Sequence, residues 1–131
     1  MKGGQIIVHG NAGVEAGCWM SNGIIRIERN AGMFPGIHMC GGDVLIEGDC
    51  DGRAGAGMTG GRVIIRGRME EMLPSFTLEE VRDRVRIGEE RIEGPFYVFQ
   101  GDVGSVKTGR VFVSVTRNPQ LKWSEKYLET W

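Results

Sequence analysis

The chain has 131 residues, enough for one ordinary domain with a buried core, and its 16 basic and 17 acidic side chains leave a net charge of -1. This balance excludes the strongly charged surface of a nucleic-acid or acidic-membrane binder. No apolar run approaches the roughly 20 residues of a membrane span, and the first residues lack the apolar core of a signal peptide. We therefore expect a cytoplasmic protein with neither nucleic-acid nor membrane partners.

Glycine accounts for 22 residues, and most of these glycines follow a period of 19 along residues 4–67. The phrase that begins at Gly4 returns at Gly23, Gly42 and Gly61 without any insertion. A fixed period near this length is typical of an array whose units stack on their neighbours. The structural repeat glycines are Gly4, Gly10, Gly13, Gly17, Gly23, Gly32, Gly36, Gly42, Gly48, Gly55, Gly61 and Gly67.

Each repeat contains one segment in which apolar and polar residues alternate. In the first copy the β-branched residues Ile6 and Val8 are flanked by Gln5 and His9, and the later copies keep this order. Such a period of two predicts a strand with one face toward a core. The glycines fit corners that need positive φ and close approach between coils. We therefore predict an all-β fold in which residues 1–67 form a parallel β-helix with about 19 residues per coil.

Equivalent positions of successive coils form predicted columns. Polar residues at one turn predict a hydrogen-bonded ladder of Asn11, Asn30 and Asp49. Flexible apolar side chains near the end of each coil predict a core-filling column of Met20, Met39 and Met58. We prefer this core role to a row of metal-binding thioethers.

The repeat stops at Gly67, and residues 68–131 are predicted to form an irregular β-rich capping segment of the same domain. Residues 77–87 fit either a helix, with Thr77 and Glu80 as a capping box, or an exposed strand. The strand is favoured because the following turn leads into the apolar run "PFYVFQG", and another strand is predicted at 110–115. The arginines at 82, 84 and 86 are typical of a solvated face, with contact to an acidic partner as the functional alternative.

The residues that could carry chemistry do not converge in the sequence. His9 and His38 fall in different columns, and Cys18, Cys40 and Cys50 form no C-x-x-C pair. The glycine motif at 55–60 is followed by a strand rather than by the helix that a dinucleotide site requires. We therefore predict no catalytic, cofactor-binding or metal-binding residue. A small-ligand site would require a polar pocket around one of the histidines.

Two features of the repeat predict association with other protein. The outward row of Ile7, Leu45 and Ile64, interrupted by Arg26, is either a partner interface or a surface covered by the C-terminal segment. The first coil begins without a capping element, which suggests that another polypeptide stacks there, that the chain self-associates, or that it is a piece of a longer protein.

The sequence also resembles a known family. The string "GNAGVEAGCWMSNGIIRIERNAGMFPGIHMCGGDVLIEG" is similar to the G-x-x-G-x-x-x-G repeats shared by the C-type subunit of formylmethanofuran dehydrogenase and the C-terminal domain of the glutamate synthase large subunit. One instance of the motif is complete, at Gly10, Gly13 and Gly17. In the second instance Arg29 replaces the first glycine, and in the third Asp51 replaces the middle one. The segments "LPSF" and "FQGDVGSVKTGRVFVSV" resemble only the dehydrogenase subunit.

This resemblance implies a right-handed parallel β-helix that serves as a structural subunit, without catalytic residues of its own, of an oxidoreductase complex. Such complexes reduce carbon dioxide onto methanofuran in the methanogenesis of archaea, a step of one-carbon metabolism. The molybdenum or tungsten pterin and the iron-sulfur clusters are then expected in partner subunits. The alternatives are a glutamate-synthase-like β-helix spacer domain and a self-associating β-helix with a small-ligand site.

Overall fold

The computed structural model describes residues 4–13, 16–69, 76–101 and 109–125. Residues 73–75 and 102–108, which carry part of the family resemblance, lie outside the described residues. No helix in the described part of the chain is long and apolar enough to cross a membrane. A 3-10 helix covers Pro119–Glu125. The strands are β1 (Gln5–Val8), β2 (Ile24–Ile27), β3 (Ala31–Met33), β4 (Cys40–Ile46), β5 (Cys50–Gly52), β6 (Gly60–Ile65), β7 (Thr77–Ile87), β8 (Glu90–Gly101) and β9 (Gly109–Ser114).

One seven-stranded sheet carries most of the fold, in the order β1-β2-β4-β6-β9-β8-β7. Its first four strands are parallel and in register at the repeat interval, so that Ile6 lies beside Ile25 and Ile25 beside Val44. A smaller parallel pair, β3 and β5, belongs to another side of the coils. The predicted all-β parallel β-helix with about 19 residues per coil is confirmed.

Each coil turns a corner on a repeat glycine. Gly17, Gly36 and Gly55 have φ of 72–77°, a left-handed conformation that glycine adopts without strain. The carbonyl group of each accepts a hydrogen bond from the amide three residues later, at Met20, Met39 and Met58. The corners are also bonded to one another, since the Gly36 amide donates to the Ala16 carbonyl oxygen. The repeat glycines therefore place every corner directly over the previous one.

The predicted polar ladder is also confirmed. Asn11 Oδ1 accepts a hydrogen bond of 2.9 Å from the Asn30 amide, and Asn30 Oδ1 accepts one of 2.7 Å from the Asp49 amide. Asp49 Oδ1 continues the ladder by accepting from the Arg68 amide at 2.8 Å. Each side chain satisfies a backbone donor at the turn of the next coil, which holds neighbouring coils in register.

The interior of the coils is filled by the residues that alternate inward along the strands. Val44, Val63 and Ile65 are fully buried. They pack with the methionine column, which consists of Met20, Met39 and Met58 and is extended by Met69. The core-filling role predicted for this column is confirmed.

The C-terminal segment both extends the coils and covers them. Residues 77–87 form strand β7, so the strand interpretation is confirmed and the helical alternative is wrong. Strand β9 lies parallel to β6, with Val111 beside Val63, and therefore takes the place of a further coil strand. Residues 96–101 of β8 pair with β9 in the antiparallel direction, whereas the rest of the β7-β8 hairpin folds back over the outer face of the coils.

Candidate functional site

The outer face of the parallel sheet is the surface on which the sequence placed a candidate partner interface. Leu45 and Ile64 are fully buried there, in a second apolar cluster with Val85, Ile87 and Ile92 of the hairpin. The chain therefore covers these two residues with its own C-terminal segment and does not leave them available to a partner. Ile7, which lies in the same row, remains 46% exposed.

Arg26, which interrupts the apolar row, ties the hairpin to the coils. Its guanidinium donates to both carboxylate oxygens of Glu90, next to the hairpin turn, and to Glu47 at 3.2 Å. The hydrogen bond to Arg26 lowers the pKa of Glu90, and the hydrogen bond to Glu90 raises the pKa of Arg26. The sequence offered no signal for this contact, because the two residues are far apart in the chain.

Further ion pairs connect one coil strand to the next. Arg62 binds Asp43 through two hydrogen bonds of 2.7 and 3.0 Å, and Arg66 binds Glu47 at 3.1 Å. Because these side chains stand at equivalent positions of neighbouring coils, opposite charges alternate along the stack. They stabilise the stack and leave few free charges on this face.

A groove of about 610 Å³ crosses the coils beside these ion pairs. Its walls include Asn22, the hairpin residue Gly88, and the paired side chains of Asp43 and Arg62. The glycines that begin each repeat form its floor: Gly4, Gly23, Gly42 and Gly61. A second cavity of about 230 Å³ lies between the hairpin and the sheet. Neither of these two cavities is lined by a histidine, and the charges of the larger one are already paired with each other.

The two histidines lie in different surroundings. The His9 ring nitrogen Nδ1 is 2.7 Å from a Glu28 carboxylate oxygen on an exposed part of the first two coils. His38 stacks instead on Trp19, with 4.5 Å between the ring centres. Among the described residues, no three histidine, cysteine, aspartate or glutamate side chains are grouped so that they could hold a metal ion.

Trp19 and His38 have an unusual backbone conformation that sequence analysis missed. Both have positive φ, 59° and 57°, at the corner position that Gly57 occupies in the next coil. Left-handed backbone costs a residue with a side chain about 1–2 kcal/mol. Trp19 is nevertheless 69% exposed, so burial of its ring does not offset that cost.

The cysteines differ in accessibility. Cys40 is exposed, Cys18 is half-buried and Cys50 is buried. Burial raises the pKa of the Cys50 thiol to about 11, although a hydrogen bond with the Gly52 backbone acts in the opposite direction. The Cys50 side chain is therefore a protonated core residue at neutral pH.

The hairpin presents a cluster of arginines to solvent. Val85, Ile87 and Ile92 face the coils. The residues that alternate with them are exposed, and the register places Arg84 opposite Glu93 and Arg86 opposite Arg91. The sequence pattern identified two of these arginines, but only the strand register brings Arg91 to them. This register creates a surface with three arginines around one glutamate.

No protein-family model matches the chain. No curated protein is significantly similar to it.

Proposed function

We propose that the chain is a non-catalytic structural subunit, or a fragment of one, of a formylmethanofuran dehydrogenase-type complex that reduces carbon dioxide to formylmethanofuran in methanogenesis. One observation carries the proposal. The glycines on which the family resemblance rests include Gly17, Gly36 and Gly55, and these form the left-handed corner of every coil. The resemblance is therefore carried by residues that the solenoid requires, rather than by an accidental run of glycine.

The proposed role is to hold the other subunits of a cytoplasmic enzyme in place. In this proposal, the molybdenum or tungsten pterin and the iron-sulfur clusters belong to those partner subunits. A glutamate-synthase-like spacer domain would use the same kind of coil. The dehydrogenase subunit is preferred because residues 99–115 resemble it alone, and because β9, within that segment, continues the sheet.

Association through the first coil is part of the proposal. Strand β1 is one edge of the seven-stranded sheet, and Ile6 and Ile7 on it are about half exposed. An edge strand with exposed apolar residues favours pairing with another chain. The occupant is either a partner subunit or a second copy of this chain.

Purification from native cytosol through an affinity tag tests the proposed function. We expect the chain to be recovered with a pterin-binding and an amidohydrolase-like subunit, in an assembly that contains molybdenum or tungsten in fixed proportion to protein. Recovery of the chain alone, as a homo-oligomer free of these metals, would contradict the proposal. So would formyl-transfer or dehydrogenase turnover by the isolated chain.

A further inference from the structure

We propose that the β7 edge of the sheet binds an extended acidic segment of a partner protein by strand addition, with Arg84, Arg86 and Arg91 contacting its carboxylates. The inference deepens the proposed scaffold role, on which it rests for its biological meaning, by naming a surface and the chemistry of the partner. Its physical basis is independent of the family resemblance.

The first argument is the charge arrangement of the hairpin. Arg86 and Arg91 lie directly opposite each other on neighbouring strands, and like charges in that position destabilise a strand pair. In the described part of the chain, neither Arg84 nor Arg91 forms an ion pair. Glu93 and the neighbouring Asp83 are outnumbered by arginines, although the whole chain is slightly acidic. Carboxylates from another molecule would relieve this repulsion, because the guanidinium group binds carboxylates with matched geometry.

The second argument is the backbone edge beside this arginine cluster. Strand β7 has 11 residues and is the last strand of the sheet, with β8 as its only partner among the described strands. The Arg86 carbonyl oxygen already accepts a hydrogen bond from Arg62 at 3.0 Å. The accessible edge is therefore the stretch from residue 78 to residue 84. Unpaired backbone groups along such an edge bind an incoming strand.

The third argument is an apolar side chain on the same edge. Val81 is 41% exposed and lies in the middle of the stretch, where an apolar residue of an added strand would cover it. Charged residues next to it distinguish the two ends of the site, because Arg84 and Arg86 stand only toward the hairpin turn. The fitting ligand is therefore a strand with apolar character in its middle and acidic residues at one end.

Synthetic peptides test this inference on the intact chain. One labelled peptide has seven alternating threonine and valine residues followed by three glutamates, and a second has the glutamates first. We expect one direction to bind, with fluorescence anisotropy as the readout and with weaker binding at high salt. The same peptide with glutamine in place of glutamate is expected to bind about tenfold more weakly. Equal binding of both would overturn the proposal.

Variants then locate the site. R84Q/R91Q removes two arginines that have no ion pair among the described residues, and should weaken binding roughly fivefold to tenfold. The matched control is R29Q/R117Q, which removes two exposed arginines elsewhere and should leave binding unchanged. Equal loss in both variants would overturn the proposal, because it would indicate a general charge effect. Circular dichroism and thermal unfolding establish that each variant is folded.

Peptides methylated on alternate backbone nitrogens provide a test that needs no variant. Methylation on the edge that faces β7 should abolish binding, whereas methylation on the opposite edge should not. Binding that survives both methylation patterns would overturn strand addition. Failure of every peptide together with recovery of the complex would refute this surface alone. Peptide binding together with the absence of any complex would refute the scaffold role and leave the surface intact.

Discussion

Asn118 Oδ1 accepts a hydrogen bond of 2.7 Å from the Met69 backbone amide and so ends the polar ladder of the coils. The Asn118 side chain is fully buried, and its amide group donates to the carbonyl oxygens of Gly67 and Ser114 at 2.9 and 2.8 Å. One side chain thus joins the end of the last regular repeat to the chain that leaves β9. It performs for the final coil what Asp49 performs for the coil before it.

Replacing Asn118 with alanine should therefore destabilise the protein by about 3 kcal/mol, because buried backbone groups lose their partners. The measurement is urea unfolding followed by circular dichroism. The matched control is Asn22→Ala, which removes a side chain that is exposed and bonds only the adjacent Gly23 amide. This control should change the free energy of unfolding by about 0.5 kcal/mol. Equal effects of the two substitutions would show that Asn118 is not a structural link.

Gly61 and Gly10 are both repeat glycines, but their surroundings predict opposite responses to alanine. Gly61 has φ of 82°, and an added Cβ would stand 2.7 Å from Met39 Cε and 2.9 Å from the Gly42 carbonyl oxygen. Gly61→Ala should cost about 3 kcal/mol through backbone strain and overpacking. A Cβ at Gly10 meets no atom within 4 Å, so Gly10→Ala should be close to neutral. Thermal unfolding of both variants checks this difference, and similar losses at the two positions would contradict it.

Ile64 and Ile7 occupy equivalent positions on the outer face, yet only Ile64 lies under the hairpin. Ile64→Ala should lower the free energy of unfolding by about 3 kcal/mol, whereas Ile7→Ala should lower it by less than about 1 kcal/mol. Limited digestion with trypsin should also cut I64A faster at the arginines of β7, since the hairpin loses its support. Slow cleavage equal to that of the unmodified chain would indicate that the hairpin does not depend on this contact.

The repeating part of the fold could be predicted from the sequence because each coil reports on the next. A strand at Ile25, a ladder at Asn30 and a core position at Met39 are each repeated at a constant interval, so local pattern and three-dimensional neighbour coincide. The sequence also contains a signal for the strand that follows the last coil. "GRVFVSV" at 109–115 repeats the beginning of "GRVIIRG" at 61–67, and the structure places these two strands side by side.

The cover of the coils could not be predicted in the same way. Leu45 and Ile64 were correctly assigned to the outward side of the strands, but their burial depends on a hairpin that has no repeat to define its position. The contacts that fix the hairpin, from Arg26 to Glu90 and from Arg62 to Arg86, join residues distant in sequence. The candidate surface therefore moved from the apolar row to the arginines on the outside of the hairpin.

Glu90 should titrate below the ordinary range of a glutamate, because the hydrogen bond to Arg26 lowers its pKa. The unfolded chain lacks this bond, so the pair stabilises the protein above the ordinary glutamate pKa. This contribution is lost as the pH falls through the lower pKa of the folded state. Side-chain carbon NMR during an acid titration measures the midpoint. Arg26→Gln should move it upward, whereas Arg84→Gln, on the opposite face of the hairpin, should not. An unchanged midpoint in R26Q would contradict the assignment.

Cys50 should make the stability of the protein decrease between about pH 9 and pH 11. Burial raises the pKa of its thiol from 9.0 to about 11, so the unfolded chain loses the proton at a lower pH than the folded chain does. Stability from this group is therefore complete below the unfolded pKa and is lost as the pH rises toward the folded one, by about 2–3 kcal/mol in all. Urea unfolding at several alkaline pH values measures the slope. Cys50→Ala should flatten the slope, whereas Cys40→Ala, at an exposed cysteine, should retain it. Equal slopes in C50A and the unmodified chain would assign the alkaline loss to other groups.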